Sequence, residues 1–169
     1  LIGGPQAGII LGKKRYLDKI KMHPLYRALR CDKVTMLLLE KTLIAYGRAQ
    51  HRLQIPTQRM LNESDYQVKV RAKEILERFS EEDCYRLTSC FSTPGGGSLP
   101  GKKIDSWGIE IHSNHLSENS ILDLLRSQSP PIIGRIQNGK VVMDCRTILP
   151  KQIKQVSEIL KNLESALTG

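Results

Sequence analysis

Residues 130–147 read PPIIGRIQNGKVVMDCRT, and this stretch decides the fold of the second part of the chain. Two runs rich in β-branched residues flank Asn138-Gly139. This dipeptide is preferred in two-residue hairpin turns because both turn residues need a positive φ angle. The stretch therefore predicts a β-hairpin, and with it an antiparallel sheet, since strands joined by so short a turn must run in opposite directions.

The segments on either side of the hairpin supply further strands and covering helices. Alternating or β-rich runs predict strands at 84–91 and 106–112. Serines typical of N-caps predict helices at 64–79 and 118–126, and apolar residues at 3 and 4 spacing predict a last helix from Pro150. The combination indicates an α+β layer in which helices pack on an antiparallel sheet.

The first third of the chain has a different pattern. GIILG at 8–12 is interpreted as a short buried strand, and the basic segment 13–22 as a helix that ends before Pro24. A second helix is predicted at 32–46, with Gly47 as its left-handed cap. Because this helix is apolar nearly all round, we expect it to be buried between other elements.

A linker that contains Pro56 separates these two parts. Its segment 48–62 is the predicted domain boundary, so the expected domains are residues 1–50 and 51–169. The overall fold class is predicted as α/β, with an α+β second domain.

The composition and the cysteine spacing favour a globular protein and argue against membrane-spanning, secreted and zinc-binding classes. The chain is 40% hydrophobic and 25% charged, which is typical of a globular protein. No apolar run reaches the roughly 20 residues that a membrane-spanning helix needs, and no secretory signal is recognisable. The four cysteines are widely spaced at positions 31, 84, 90 and 145, which argues against a zinc site and indicates the reduced thiols of a cytoplasmic protein.

The positive charge is concentrated in one part of the chain. Residues 1–60 contain twelve Lys or Arg and three Asp or Glu, whereas residues 61–169 contain fourteen of each sign. This asymmetry favours an anionic partner such as phosphate, nucleic acid or an acidic subunit surface, although a solvated basic face is the simpler alternative. Aromatic residues are too few here for a platform that stacks single-stranded bases.

Two short motifs are candidate anion sites. Arg27 and Arg30 in RALR are three residues apart, so on a helical turn they would project from one face and could bind one oxyanion. The glycine-rich loop 94–98 resembles a phosphate-binding turn but lacks a following helix. His112 and His115 are interpreted as surface histidines, and no metal-ligating cluster is recognisable.

Six motifs in this order resemble the C-terminal part of bacterial selenocysteine synthase, the L-seryl-tRNA(Sec) selenium transferase family. They are LIGGPQAGIILGKK (1–14), HPLYRALRCDK (23–33), IPTQRML (55–61), GGGSLPG (95–101), PPIIGRIQNGK (130–140) and DCRTILP (144–150). The family consists of pyridoxal 5'-phosphate enzymes of fold type I, similar to aspartate aminotransferase. The resemblance implies that residues 1–50 are the end of the large cofactor domain and residues 51–169 the small α+β domain.

The resemblance also implies a reaction. The family converts seryl-tRNA(Sec) to selenocysteinyl-tRNA(Sec) with selenophosphate, through a dehydroalanyl intermediate on the cofactor. The lysine that carries the cofactor is expected immediately before Leu1, so the 169 residues alone are expected to be inactive. Arg27 and Arg30 occupy the positions that bind selenophosphate in the family. Gly4 and Gln6 are expected at the cofactor pocket or dimer edge, where Gln6 would hydrogen-bond the cofactor phosphate.

The sequence leaves the roles of several other groups open. Arg135 is similar to the small-domain arginine that binds the substrate carboxylate in aminotransferases, but a structural strand arginine is favoured, and Arg146 has the same ambiguity. The basic first third is a further candidate contact for the tRNA. The family implies a homo-oligomer built from dimers, with a decamer as one form. The alternatives are a related pyridoxal-phosphate ammonia-lyase acting on a phosphorylated amino sugar acid, or a non-catalytic piece that only docks to other subunits.

Overall fold

A computed structural model describes residues 1–79, 84–95 and 101–169 and divides the chain into two compact units, Leu1–Asn62 and Glu63–Gly169. The division falls at the end of the predicted linker, so residues 51–62 lie in the first unit. No helix within the described ranges is long and apolar enough to cross a membrane.

The first unit is helical. Its elements are α1 (Lys14–Met22), α2 (Pro24–Ala28), α3 (Lys33–Gly47), α4 (His51–Gln54) and α5 (Pro56–Asn62). Helix α1 ends before Pro24, as predicted, because proline cannot follow a residue in helical conformation without steric strain. Asp32 caps α3, since its Oδ1 accepts hydrogen bonds from the backbone N–H groups of Val34 (2.8 Å) and Thr35 (2.9 Å).

Three predictions for the first unit are wrong. Residues 8–12 form no strand: Ile9, Ile10 and Leu11 are exposed, and within the described chain the only sheet lies in the second unit, so this segment has no strand to pair with. Helix α3 is mostly exposed, with Ala45 its buried residue. Gly47 lies inside the helix, and Ala49 adopts the positive φ (55°) instead.

In its described residues, the second unit combines an antiparallel sheet with three α-helices, as the sequence predicts. Its elements are α6 (Asp65–Leu76), β1 (Tyr85–Ser92), β2 (Ile104–Ile111), α7 (Glu118–Arg126), β3 (Arg135–Gln137), β4 (Lys140–Asp144) and α8 (Ile153–Thr168). The strand order is β1-β2-β4-β3, and every pair is antiparallel. Ser64 and Gln67 form a capping box at the start of α6, and Ser117 caps α7.

The hairpin is formed as predicted. Gln137 pairs with Lys140 across the turn, and the two turn residues have φ angles of 53° (Asn138) and 74° (Gly139). These angles match a type I′ turn, whose twist suits the flanking strands.

The core of the second unit lies between the sheet and the helices. Ile75 of α6, Ile109 of β2 and Leu160 of α8 are fully buried. The Tyr85 hydroxyl donates a hydrogen bond to the Leu160 carbonyl (2.7 Å), so β1 is also joined to α8 by a polar contact. Fully burying each such apolar side chain contributes about 1.5–3 kcal/mol, which makes this layer the stable part of the described chain.

Candidate functional site

The first residues of the chain are anchored to two helices of the first unit. The Tyr46 hydroxyl of α3 donates to the Ile2 carbonyl (2.9 Å), and the Gln58 side chain of α5 donates to the Leu1 carbonyl. The Tyr46 ring also stacks on His51, with ring centroids 4.3 Å apart. A terminal segment held by side-chain donors has a defined path along the helices.

Two glycines allow the close approach of this segment. Gly3 has φ +83°, and a Cβ there would lie 2.7 Å from the Ile55 Cγ2 atom. A Cβ on Gly4 would lie 2.7 Å from the Thr42 Oγ1 atom. Packing against α3 and the Ile55–Thr57 segment therefore explains why both positions are glycine.

Gln6 follows these glycines, and its side chain is exposed. It makes no hydrogen bond within the described parts of the chain, so its amide is available to a ligand. This position is compatible with the predicted phosphate contact, which stays a prediction.

Arg27 and Arg30 lie in the same unit, at and beyond the end of α2. Arg27 is in the last turn of the helix, whereas Arg30 follows the C-cap residue Leu29, so helical periodicity does not fix the relative direction of the two side chains. Both residues are exposed. Neither guanidinium has an ion-pair or hydrogen-bond partner among residues 1–79, 84–95 and 101–169, so no carboxylate of the described chain competes with an incoming anion.

Asp144 is the centre of a polar cluster in the second unit, and no pattern in the sequence indicates this role. It accepts hydrogen bonds from the hydroxyls of Ser92 (2.5 Å) and Ser106 (2.7 Å), the Arg146 backbone N–H (3.1 Å) and the Arg135 guanidinium (3.2 Å). Burial alone would raise the pKa of Asp144, but these donors, led by the two serine hydroxyls, hold the pKa below its ordinary value.

Arg135 belongs to this cluster. In addition to Asp144, it donates to the Phe91 carbonyl of β1 (2.6 Å), and its side chain remains 41% exposed. These bonds join the edge strand β3 to β1 and β4, which agrees with the structural interpretation. A contact with substrate stays a prediction.

Arg146 is buried, with 3% of its surface exposed. It donates to the backbone carbonyls of Glu63 (2.7 Å) and Asp105 (2.6 Å). The buried Arg71 nearby pairs with Glu63 and donates to the Cys145 carbonyl (3.0 Å). Arg146 thus joins the start of α6 to β2, and this buried network is structural. The sequence could not reveal it, since its partners are far apart along the chain.

The cysteines and the possible metal ligands form no recognisable site among the described residues. Cys31 is half-buried, the other three cysteines are buried, and all four are free thiols. Burial raises the pKa of the Cys145 thiol to about 12, so it is unreactive at neutral pH. The described residues contain no group of His, Cys, Asp or Glu side chains that could hold a metal ion. In the glycine-rich loop, residues 96–98 lie outside the described residues.

The comparison with protein families decides between the possible identities. A family model described as L-seryl-tRNA selenium transferase matches residues 1–149. The chain belongs to this family. The match includes the anchored glycine segment, Arg27, Arg30 and the β3–β4 hairpin, so the resemblance that the motifs indicate is confirmed.

Individual selenium transferases agree with this assignment. The chain is 43% identical over 156 residues to the L-seryl-tRNA(Sec) selenium transferase of Alkaliphilus oremlandii, covering 90% of the chain and 33% of the relative. It is 38% identical over 164 residues to that of Carboxydothermus hydrogenoformans, covering 95% of the chain and 35% of the relative. The chain therefore spans about a third of the length of these selenium transferases.

A solved structure confirms the fold class. The chain is similar to a structure titled D-glucosaminate-6-phosphate ammonia-lyase, with a TM-score of 0.54 and 19% identity, over 92% of this chain and 39% of that one. At this identity the likeness shows the fold alone. It agrees with the C-terminal part of a fold-type-I enzyme, as predicted for this selenium transferase family.

Proposed function

We propose that this chain acts, as part of a larger pyridoxal-phosphate enzyme, in the conversion of seryl-tRNA(Sec) to selenocysteinyl-tRNA(Sec) with selenophosphate. The observation that carries the proposal is the family match over residues 1–149, which includes two exposed arginines without partners among the described residues. Relatives at 36–43% identity are named for this transfer. The ammonia-lyase alternative has only a distant likeness in its favour.

In this proposal Arg27 and Arg30 bind the selenophosphate anion. A guanidinium presents planar N–H donors that match tetrahedral oxyanions, and the bond to a charged oxygen is about twice as strong as a neutral one. Both side chains are exposed and have no ion-pair partner in the described ranges, so an anion can bind there without first displacing a carboxylate of those ranges. Their charge lies within the part of the chain that has nine more basic than acidic residues.

The anchored segment 1–6 fits one edge of a cofactor site. Its backbone is held by Tyr46 and Gln58, and the exposed Gln6 amide can donate to a phosphate oxygen. The direction in which a Cβ on Gly4 would point is occupied by Thr42, so the close approach that this glycine permits is to helix α3. When bound, pyridoxal phosphate supplies an electron sink for loss of the serine hydroxyl.

The proposed quaternary structure is the one that the resemblance to the family implies. We propose a homo-oligomer built from dimers, which acts in the cytoplasm and receives the tRNA. Many apolar side chains of the first unit are exposed, which supports a larger assembly.

The test uses a full-length enzyme that contains these 169 residues, with Arg27→Gln and Arg30→Gln made singly. Each change removes a charged hydrogen-bond donor worth about 1.5–3 kcal/mol, so we expect KM for selenophosphate to rise about 10- to 100-fold. KM for seryl-tRNA should not change. Steady-state selenium transfer measures both constants.

The matched control is Arg52→Gln, an exposed arginine on α4 of the same unit, which should leave both constants unchanged. The same enzyme with Gln6→Ala should bind pyridoxal phosphate less tightly in an absorbance titration. An unchanged KM for selenophosphate in both arginine variants would contradict the proposed anion site.

A further inference from the structure

Helix α1 carries a dense group of cations that outnumber its acidic residues by three. Four of its nine residues are basic, namely Lys14, Arg15, Lys19 and Lys21, and all four are exposed. Asp18 is the acidic residue of the helix. None of the four cations makes an ion pair with a residue in the described ranges. Helix α8 contrasts with this, because its Lys154 lies 3.9 Å from the Glu158 carboxylate.

The helical period places these cations on one side. With 100° between successive residues, the four basic side chains project over less than half of the circumference, and Asp18 and Met22 lie within the same arc. Tyr16, Leu17 and Ile20 occupy the opposite side. We call the side formed by Lys14, Arg15, Lys19 and Lys21 the basic face of α1. A nine-residue helix is about 13 Å long, so the positive charges of this face are spread along the helix and do not converge on one point.

The spacing of these cations indicates which kind of anion the basic face of α1 can bind. A single small oxyanion is bound by two converging donors, whereas cations spread along a helix suit a row of phosphates. Stacking on bases is not expected, because Tyr16 lies on the apolar side and its hydroxyl accepts a hydrogen bond from Arg15 (2.8 Å). The face therefore suits a phosphate backbone and provides no means of reading bases.

We propose that the basic face of α1 binds the phosphate backbone of the acceptor arm of the tRNA substrate. This inference rests on the proposed function, which makes an aminoacylated tRNA the substrate. Only His23 separates α1 from α2, which carries Arg27, so the RNA contact and the proposed selenophosphate site belong to one continuous segment. Duplex RNA is recognised mainly through its shape, phosphates and 2′-hydroxyls, which fits a face of flexible lysines.

The test replaces three lysines in a full-length enzyme that contains this chain. In the variant Lys14→Gln, Lys19→Gln, Lys21→Gln, we expect at least a 10-fold loss of tRNA affinity at 0.15 M salt. The slope of log K against log[salt] should become shallower by roughly 2–3, since each lost phosphate contact changes it by about 0.9. Filter binding of unacylated tRNA at four salt concentrations measures both quantities.

Two matched variants separate phosphate binding from other effects. The triple change of the same lysines to arginine keeps the charge, so affinity and slope should stay near those of the wild type. The triple change Lys151→Gln, Lys154→Gln, Lys161→Gln removes three exposed lysines from the second unit and should also leave both unchanged. In selenium transfer, the α1 variant should raise KM for seryl-tRNA and leave kcat at saturating tRNA unchanged.

The outcomes distinguish this inference from the proposed function. If the α1 glutamine variant binds tRNA with wild-type affinity and slope, the inference is overturned. It is also overturned if that variant binds tRNA normally but no longer assembles, because the face would then bind an acidic surface of another subunit. If the wild type binds tRNA, the α1 variant does not and neither transfers selenium, the inference stands and the proposed function fails. A wild type that binds no tRNA overturns both.

Discussion

Asp144 shows at the scale of single residues how a buried carboxylate holds a sheet together. It is 9% exposed at its side chain and is bonded to groups from β1, β2, β3 and the turn after β4. Each donor satisfies one of its lone pairs, so the charge is compensated in a site from which water is largely removed. The carboxylate joins strands that are far apart in the sequence.

Replacing Asp144 with asparagine should therefore destabilise the second unit. The asparagine NH₂ group would face donors that now bond to oxygen, and Arg135 would lose its partner, so we expect a loss of about 1–3 kcal/mol in the free energy of unfolding at pH 7. Urea denaturation followed by circular dichroism measures this change. As a control, Asp123→Asn, at an exposed pair with Arg126, should change stability by less than about 0.5 kcal/mol.

The effect of Asp144→Asn should depend on pH in a defined direction. The pKa of Asp144 is lower in the folded chain than its ordinary value of 3.8, so its contribution to stability is complete well above pH 3.8. It is lost as the pH falls through the folded pKa, since the carboxyl group is then protonated in both states. We expect the difference between wild type and Asp144→Asn to shrink below about pH 4. A difference that stays constant down to pH 2 would contradict the assignment of the charge.

At the scale of elements, the β3–β4 hairpin is determined by its two turn residues. Both have positive φ angles, which L-amino acids with a Cβ avoid and which glycine and asparagine tolerate best. A Cβ at Gly139 would meet no atom within 4 Å, so the requirement for glycine there is conformational and not steric.

Gly139→Ala should consequently cost about 1–2 kcal/mol, the price of placing an alanine in the left-handed region. Thermal and urea unfolding of the second unit measure the loss. Asn138→Gly provides the matched control, because glycine adopts the same angle and the stability should change by no more than about 0.5 kcal/mol. Equal losses in both variants would show that the side chain of Asn138, and not backbone conformation, determines the turn.

At the scale of the whole molecule, the two units differ in how much core they contain. Within residues 1–62, all of which are described, Ala45 and Ile55 are the only buried apolar side chains. The second unit buries a continuous cluster that includes Ile75, Ile109 and Leu160. Because burial of apolar surface is the main source of stability, the second unit should be the more stable of the two.

Hydrogen exchange of the 169-residue chain tests this difference. Amides of β1, β2, β4, α6 and α8 should exchange slowest, while those of α1, α2 and the exposed part of α3 should exchange at least about 100-fold faster, equivalent to about 2.7 kcal/mol. Mass spectrometry of peptides after timed labelling resolves the elements. Equal protection of α3 and β2 would contradict the assignment of the stable core to the second unit.

The sequence by itself determined the features that depend on neighbouring residues. The hairpin at Asn138-Gly139, the caps at Asp32, Ser64 and Ser117, and the end of α1 before Pro24 follow from local conformational preferences and short hydrogen bonds. The family followed from the motifs in the same way. Arg27 and Arg30 were indicated both by their spacing and by that resemblance, whereas Gly4 and Gln6 came from the resemblance. The roles of all four remain predictions.

The tertiary structure alone decided which side chains are covered and what the buried charges contact. Apolar residues at 8–12 and in α3 predicted burial, yet they are largely exposed, because hydrophobicity states a preference and only the packed neighbours can satisfy it. Asp144 finds its partners up to 52 positions away along the chain, at Ser92. Contacts at such separations depend on which distant strands become neighbours in the sheet, and the local pattern of each strand does not specify its neighbours.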